Sequence, residues 1–406
     1  MTVEYGEPSD RSAAVERLLT KGTVDVIVRD ELRQKLLGET PLRVKLGFDP
    51  TRPDIHLGHY AVLRKLREFQ QLGHEVIVII GDWTAMIGDP SGMSAQRKML
   101  EAEEVQRNAQ TYLEQVFKVL NPERTKVVWQ SSWYKTFGLA DVIRLTSKYT
   151  VAQMLAREDF AKRFSRGAPI AITEFLYPLL QAYDSVAIRA NVEIGGTDQL
   201  FNLLVGREIQ REMGMEPQHV LTVPILVGTD GVQKMSKSLG NYIAITESPR
   251  EMFGKLMSIP DEVMGDYLRL LTDYSTEEID RMLADAASGA VNPRDIKERM
   301  ALAIVTDLHG AEAAEDARAE FERIFRRRET PEEMPEVSIP GEAHIVDVLL
   351  TAGMAKTRNE ARRLITQGGV RLAGERIEDT EQIVRIKEPR VLQVGKRRFI
   401  QLIPAP

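Results

Sequence analysis

Short apolar runs rich in β-branched residues alternate, over the first 245 positions, with segments whose apolar positions fall three and four apart. LRVKLGF (42–48) and EVIVIIGD (75–82) have the length and composition of buried strands. Between them, HLGHYAVLRKLREFQQLGH sets Ala61, Leu63, Leu66 and Phe69 at near-helical spacing, which makes the segment β, α, β. RANVEIGG (189–196) and HVLTVPILVG (219–228) are two further strand candidates. Strands alternating with helices predict an α/β fold with a parallel sheet covered on both faces. In such a sheet the ligand crevice lies beyond the carboxyl ends of the strands, where the strand order reverses. After residue 245 the pattern turns helical, from SPREMFGKLMSI through AEDARAEFERIFRRRE. ETPEEMPEVSIPG (329–341), with Pro331, Pro335 and Pro340, predicts an extended linker.

Composition narrows the class. A chain of 406 residues allows roughly two to three domains. With 43% apolar and 28% charged residues it belongs with globular proteins rather than disordered or membrane ones. No run of 18 apolar residues occurs, and MTVEYGEPSD lacks the basic-then-apolar order of a signal peptide, so a cytoplasmic location is expected and no membrane association. The absence of cysteine excludes disulfides, Cys-ligated zinc and thiol nucleophiles. A net charge of −6 excludes a uniformly basic coat but not a local basic face. Positions 342–406 hold twelve Lys/Arg against eight Asp/Glu, a modest nucleic-acid signal.

Four constellations stand where chemistry is expected. His56 and His59 flank Gly58 at the start of the first β-α helix. An ordinary helix cap or half a metal site explains the spacing as well as a ligand does, but the helix N-terminus favours an anion and Gly58 lets one approach the backbone. Lys234 and Lys237 lie between Gly228, Gly231 and Gly240, which permits either a solvated loop tip or a mobile flap closing two ammonium groups over a polyphosphate. In IGGTDQ, Gly195 and Gly196 clear space and Asp198 offers a carboxylate to ribose hydroxyls, unless the segment is only a glycine turn with an Asx cap. Tyr177, Gln181 and Asp184, at i, i+4 and i+7, share one face of a helix beginning near Pro178. Polar groups on an inward face form either a ligand pocket or a structural network.

HLGH with KMSKS resembles the paired signature of the class I aminoacyl-tRNA synthetases. The blocks GFDPTRPDIHLGH, IGDWTAMIGDPSG, YPLLQAYDS and IGGTDQLFN together resemble the bacterial tyrosyl-tRNA synthetases, in the subgroup with a KMSKS loop, over nearly the whole chain. The resemblance implies a Rossmann-like catalytic domain over 1–245, with an insertion at about 105–190 that carries the dimer interface and the tyrosine-binding helix. A helical anticodon-region domain over 246–328, the 329–341 linker and a small α+β S4 RNA-binding domain over 342–406 then follow. It implies activation of L-tyrosine by ATP, with Mg²⁺ accompanying the nucleotide and no protein-held metal, then transfer to tRNA(Tyr) by a homodimer.

Roles follow position by position. Thr51, His56 and His59 would contact the phosphates, and Lys234 and Lys237 would clamp the departing pyrophosphate. Gly58, Gly196, Asp198 and Lys237 would border the nucleotide. Gly47 and Asp49 of the GFDPT block would line the amino-acid site. Tyr177, Gln181 and Asp89 would hold the α-ammonium, with Gln199 near the carboxyl group and Asp184 accepting the phenol O–H. Two positions depart from the pattern: Lys45 stands where many relatives have a tyrosine that touches the phenol, to pair with Asp184 or turn away, and Met93 stands where a basic residue is common, with Arg97 nearby. VDVLLTAGMAKTRNEARRLITQGGVRLAGERI resembles the S4 fold of two short helices and a strand after QGG, whose Arg358, Arg362 and Arg363 would meet RNA phosphates. A tryptophan-specific synthetase shares the histidine and lysine signatures but fits the YPLLQAYD block and the S4 segment poorly. A non-catalytic RNA-binding protein on the same fold is opposed by the intact histidines and lysines.

Overall fold

Val76, Ile77, Val78, Ile79 and Ile80 follow one another in the chain and are all buried. Only a strand covered on both faces allows that, and the structure, a computed structural model, supplies the cover. It describes residues 10–50, 54–90, 101–326, 334–395 and 398–405. The strands are Val26–Ile27 (β1), Arg43–Phe48 (β2), Glu75–Ile80 (β3), Thr125–Trp129 (β4), Val192–Gly196 (β5) and His219–Val223 (β6). They form one sheet in the order β1-β6-β5-β2-β3-β4, with β2 to β6 mutually parallel and the two-residue β1 antiparallel at the edge. The chain runs outward from β2 to β3 and β4, then returns to the other side of β2 as β5. The order therefore reverses between β2 and β5, where Val44 is in register with Val76 on one side and Val192 on the other.

The four strands expected from the pattern are present, and β4 is an addition to them. TKVVW lies at the sheet edge with most of its positions only half-buried, and its three apolar residues are a shorter run than the five of β3. It falls inside the segment expected as an insertion from about 105, which corrects that boundary: the chain leaves the sheet after Trp129, and short helices at Ser131–Tyr134, Leu139–Thr146, Val151–Met154 and Glu158–Ser165 precede β5.

The Leu57–Gln71 helix buries Leu63, Leu66 and Phe69 as its spacing predicts, but it also buries Arg64, Lys65 and Arg67. Buried cations need partners. Arg64 meets Asp273 and Asp307 at 2.5 Å each, Arg67 meets Asp307 at 2.8 Å, and the Tyr60 hydroxyl also donates to Asp307. Asp307 belongs to the Pro293–His309 helix, so this ion network fastens the helices after residue 245 to the first β-α helix. The chain accordingly divides at Ala314/Glu315, and the segment expected as a separate domain from 246 belongs up to Ala314 with the sheet.

In the second unit, strands Glu375–Arg376, Val370–Leu372, Arg390–Val394, Arg398–Pro404 and Glu336–Ile339 form a sheet in that order, beside helices Ile345–Thr351 and Arg358–Thr366. The linker expected over 329–341 is corrected there: Glu336–Ile339 pairs in parallel with Arg398–Pro404 and buries Ile339. Pro335 and Pro340 bracket this strand at the sheet edge, where proline costs no ladder bond. Among the described residues no helix is long and apolar enough to cross a membrane.

Candidate active site

A cavity of about 380 Å³ opens at the carboxyl ends of β2, β3, β5 and β6, astride the β2/β5 reversal. Its lining includes Gly47, Asp49, His56, Gly58, His59, Asp89, Tyr177, Gln181, Asp184, Gly196, Asp198, Gln199 and Lys234, all singled out from the sequence.

The two histidines close the helix start reciprocally. His56 is the N-cap, and its Nδ1 accepts from the Gly58 N–H at 3.1 Å, while His59 Nδ1 accepts from the His56 N–H at 3.3 Å. Desolvation, then the His59 ring, Lys237 and Lys234, hold His56 far below the usual imidazole range, and desolvation with Lys237 holds His59 down at about 4. A neutral ring that accepts at Nδ1 carries its proton on Nε2. Both rings therefore keep an N–H donor for a ligand, and the capping and ligand roles are compatible. A Cβ at Gly58 would stand 3.0 Å from the His56 ring, so glycine makes room for it.

The lysine loop is joined to this helix start through the main chain. The Leu57 N–H donates to the Ile243 carbonyl, the Ile245 N–H donates to the Ile55 carbonyl, and His56 bridges Ala244. Lys234 is exposed at the cavity. Lys237 is not in the lining: its ammonium donates to the Asp54 carbonyl, two residues before His56.

At the far end the carboxylates are gathered by hydroxyls and amides. Asp49 accepts from the Tyr177 hydroxyl and from Thr84 Oγ1, each at 2.7 Å. Asp184, nearly fully buried, accepts from Gln130 Nε2 at 2.7 Å, with the Tyr134 hydroxyl 3.4 Å away. Gln130 has no freedom to flip, because its oxygen takes the N–H groups of Trp83 and Thr84. Burial pushes the Asp184 carboxyl up to about 7, with Lys45 and Gln130 pulling the other way. Tyr177 is raised well above the phenol range by burial and by Asp49.

Lys45 turns to Glu193 rather than to Asp184. The pair is 3.0 Å apart with side chains 1% and 2% exposed, and the ammonium also donates to the Gln181 carbonyl at 3.0 Å. Lys45 is not among the lining residues. Glu193 further accepts from Gln218 and, at 3.2 Å, from Gln181 Nε2, which leaves the Gln181 oxygen as an acceptor. Tyr177, Gln181 and Asp184 share one helix face as expected, but the helix is Ile172–Ala187, with Pro178 inside it. Proline is most favourable at a first helical position, hence the expected start; here Glu174 instead caps the Ala171 N–H at 2.8 Å and starts the helix a turn and a half earlier. Asp89 accepts from Gln199 Nε2 at 2.8 Å. Asp198 stands at the end of β5, held above the usual carboxylate range by desolvation, and a Cβ at Gly196 would lie 2.6 Å from its oxygen.

Thr51, Met93 and Arg97 lie outside the described residues. Arg358, Arg362 and Arg363 are exposed on the Arg358–Thr366 helix of the second unit, the first two paired with Asp347 at 2.6 Å and Glu381 at 3.3 Å. Sequence inspection missed Gln130, Thr84 and Glu193. Gln130 directly follows β4, a strand that the apolar pattern does not mark. Glu193 is a single charge between Val192 and Ile194, a signal for a buried partner.

Residues 37–326 match the family of class I tRNA synthetases (W and Y), and residues 345–388 match the S4 domain. The tyrosine–tRNA ligase of Dehalococcoides mccartyi is 53% identical over 391 residues, 96% of this chain and 98% of that one. That of Thermotoga maritima is 56% identical over 386 residues, 95% and 96% of the two chains. The structure of the tyrosyl-tRNA synthetase of Archaeoglobus fulgidus complexed with L-tyrosine superposes with a TM-score of 0.61 at 25% identity, covering 76% of this chain and 100% of that one. The cavity at the sheet reversal, its histidine and lysine signatures and these matches place the chain in the class I tRNA synthetase family of the tryptophan and tyrosine enzymes, among the tyrosine–tRNA ligases.

Proposed function

We propose that the cavity binds L-tyrosine and ATP, joins them as tyrosyl-adenylate with release of pyrophosphate, and passes the tyrosyl group to the terminal adenosine of tRNA(Tyr). The observation that carries this reading is the opposition, within one cavity, of the buried acceptor Asp184 and the two Nε2–H imidazoles. Asp184 takes the phenol O–H at the closed end, and phenylalanine buries that carboxylate without the hydroxyl donor, leaving it the protein's own Gln130 amide and Tyr134 hydroxyl. Tyr177, the Gln181 oxygen and Asp89 surround the α-ammonium, beside Gly47 and Asp49, and the Gln199 amide faces the carboxylate.

The carboxylate oxygen attacks the α-phosphorus, and the bond to the bridging oxygen breaks as pyrophosphate leaves with the electron pair. No side-chain nucleophile is required, so the protein supplies position and charge. Asp198 holds ribose hydroxyls, with Gly58 and Gly196 clearing the nucleotide's path. Thr51 and the His56 and His59 N–H groups meet the phosphates, and Lys234 and Lys237 receive the charge of the leaving group. Mg²⁺ arrives on the ATP phosphates as part of that substrate. In the second step a ribose hydroxyl of the tRNA attacks the acyl carbon and AMP departs. Arg358, Arg362 and Arg363 offer guanidiniums to tRNA phosphates.

The exposed Leu139, Ile143, Val151, Phe164 and Ile172 of the inserted helices support a homodimer through that face. Pyrophosphate exchange into ATP, run with single amino acids, tests the reading. Tyrosine alone should support it; exchange with tryptophan would move the chain to the sister specificity, and exchange with none would leave the RNA-binding alternative.

A further inference from the structure

Behind Gln199 runs a chain of hydrogen bonds with a single possible direction. Arg157 NH1 donates to Asn202 Oδ1 at 3.2 Å, Asn202 Nδ2 donates to Gln199 Oε1 at 3.0 Å, and Gln199 Nε2 donates to Asp89 at 2.8 Å. A guanidinium has no acceptor, so Asn202 must turn its oxygen toward Arg157 and its nitrogen toward Gln199. A carboxylate has no donor, so Gln199 must turn its nitrogen toward Asp89. Both ends impose the same polarity, and each amide has one orientation that satisfies it.

The donor end is itself held in place. Arg157 precedes the Glu158–Ser165 helix of the inserted segment, meets Asp159 twice at 2.7 Å, and lies over the rings of Phe160 at 4.8 Å and Phe201 at 5.9 Å. Asn202 is 1% exposed and Arg157 6%. Asn202 closes the IGGTDQLFN block without a role of its own, Arg157 belongs to none of the motifs, and neither lines the cavity.

We propose that Arg157 and Asn202 are positioning residues that fix the Gln199 amide with its nitrogen toward Asp89 and its second N–H toward the amino-acid carboxylate. The inference rests on the tyrosine reading for the identity of the ligand, not for the polarity of the chain. Without a donor-only group at its far end, Gln199 is free to flip and to set its oxygen against two carboxylates, that of Asp89 and that of the substrate.

The test compares Asn202→Asp with Asn202→Ala in the full-length protein, by tyrosine-dependent pyrophosphate exchange and thermal unfolding. The aspartate is nearly isosteric and keeps the Arg157 contact, but it offers Gln199 only acceptors and so reverses its amide. Asn202→Asp should raise KM for tyrosine about tenfold, and more than Asn202→Ala, with KM for ATP within about twofold of wild type. A residue that merely fills space predicts the opposite order, and that order, or equal effects, overturns the proposal. If Asn202→Asp does not fold, Arg157→Gln decides, because glutamine presents either polarity to Asn202. An increase of about threefold in KM for tyrosine alone supports the proposal, and an unchanged KM overturns it. Wild-type protein that fails to use tyrosine defeats the tyrosine reading instead, and the same ratios are then read with the amino acid that it does use.

Discussion

Lys237 and Asp54 fasten the lysine loop to the approach of the histidine helix: the Lys237 ammonium donates to the Asp54 carbonyl, and its distance to the Asp54 carboxylate is 3.9 Å. A cation held two residues from His56 has only a short path to phosphates bound at that helix start. Lys237→Ala should lower the rate of tyrosine-dependent exchange by about 3 kcal/mol in transition-state terms, roughly a hundredfold, because a preorganised donor to developing charge is lost. Tyrosine affinity, measured by equilibrium dialysis, should not change. Near-normal turnover in this variant would remove the loop from the mechanism.

Asp184 makes tyrosine recognition pH-dependent. Its carboxyl is raised to about 7 by burial, so the protonated form accumulates as pH falls below that value and the phenol loses its anionic acceptor. The imidazoles of His56 and His59 stay neutral over this range, being held far lower. We expect kcat/KM for tyrosine to rise with pH to a plateau above about 7, a profile that reports the free enzyme. Asp184→Asn should abolish that step, and a step that persists in the variant assigns it elsewhere.

The Lys45–Glu193 pair sits out of water under the amino-acid end of the cavity. Removing one partner strands the other charge, which costs about 3–5 kcal/mol when a buried pair is broken. Lys45→Met should therefore lower stability by about that much in chemical denaturation, and adding Glu193→Gln should restore most of it. Because Lys45 helps keep Asp184 ionised, Lys45→Met should also move the pH step for tyrosine upward. A single variant as stable as wild type would show that the pair is solvated in solution.

The Glu336–Ile339 strand sets where the chain can be cut. Ending it before Pro335 removes the second sheet whole, and tyrosine-dependent exchange should survive while tRNA binding weakens. If Arg358, Arg362 and Arg363 meet phosphates, the slope of log affinity against log salt should flatten by about 0.7–0.9 for each phosphate-bound guanidinium removed. An unchanged slope would falsify their role. Ending the chain after Gly341 instead strands Glu336–Ile339 without Arg398–Pro404, exposes Ile339, and should produce aggregation in light scattering.

Much of the fold was legible because its signals are local. Apolar runs with glycine ends marked β2, β3, β5 and β6, and their alternation with helical spacing required a parallel sheet with its crevice at the strand ends. The strand β4 was not legible, since an edge strand needs only partial burial and carries a weaker pattern. The start of the Ile172–Ala187 helix was misplaced for a related reason. Proline is a general helix-start signal, whereas the Glu174 cap that overrode it depends on Arg163, which holds both Glu174 oxygens from eleven residues away.

The amino-acid sequence by itself determined which groups reach the crevice: short motifs at strand ends, at helix starts and along one helix face have their direction set by the backbone period, which brings the histidines, Asp198 and Asp184 to it. What only the tertiary structure decided is what stands behind those groups. Gln130 behind Asp184, Glu193 beneath Lys45, Arg157 behind Asn202, and Asp307 across from Arg64 and Arg67 are paired between segments far apart in the chain. A buried charge or amide must find a partner wherever the fold brings one, and the sequence states the need without stating the address.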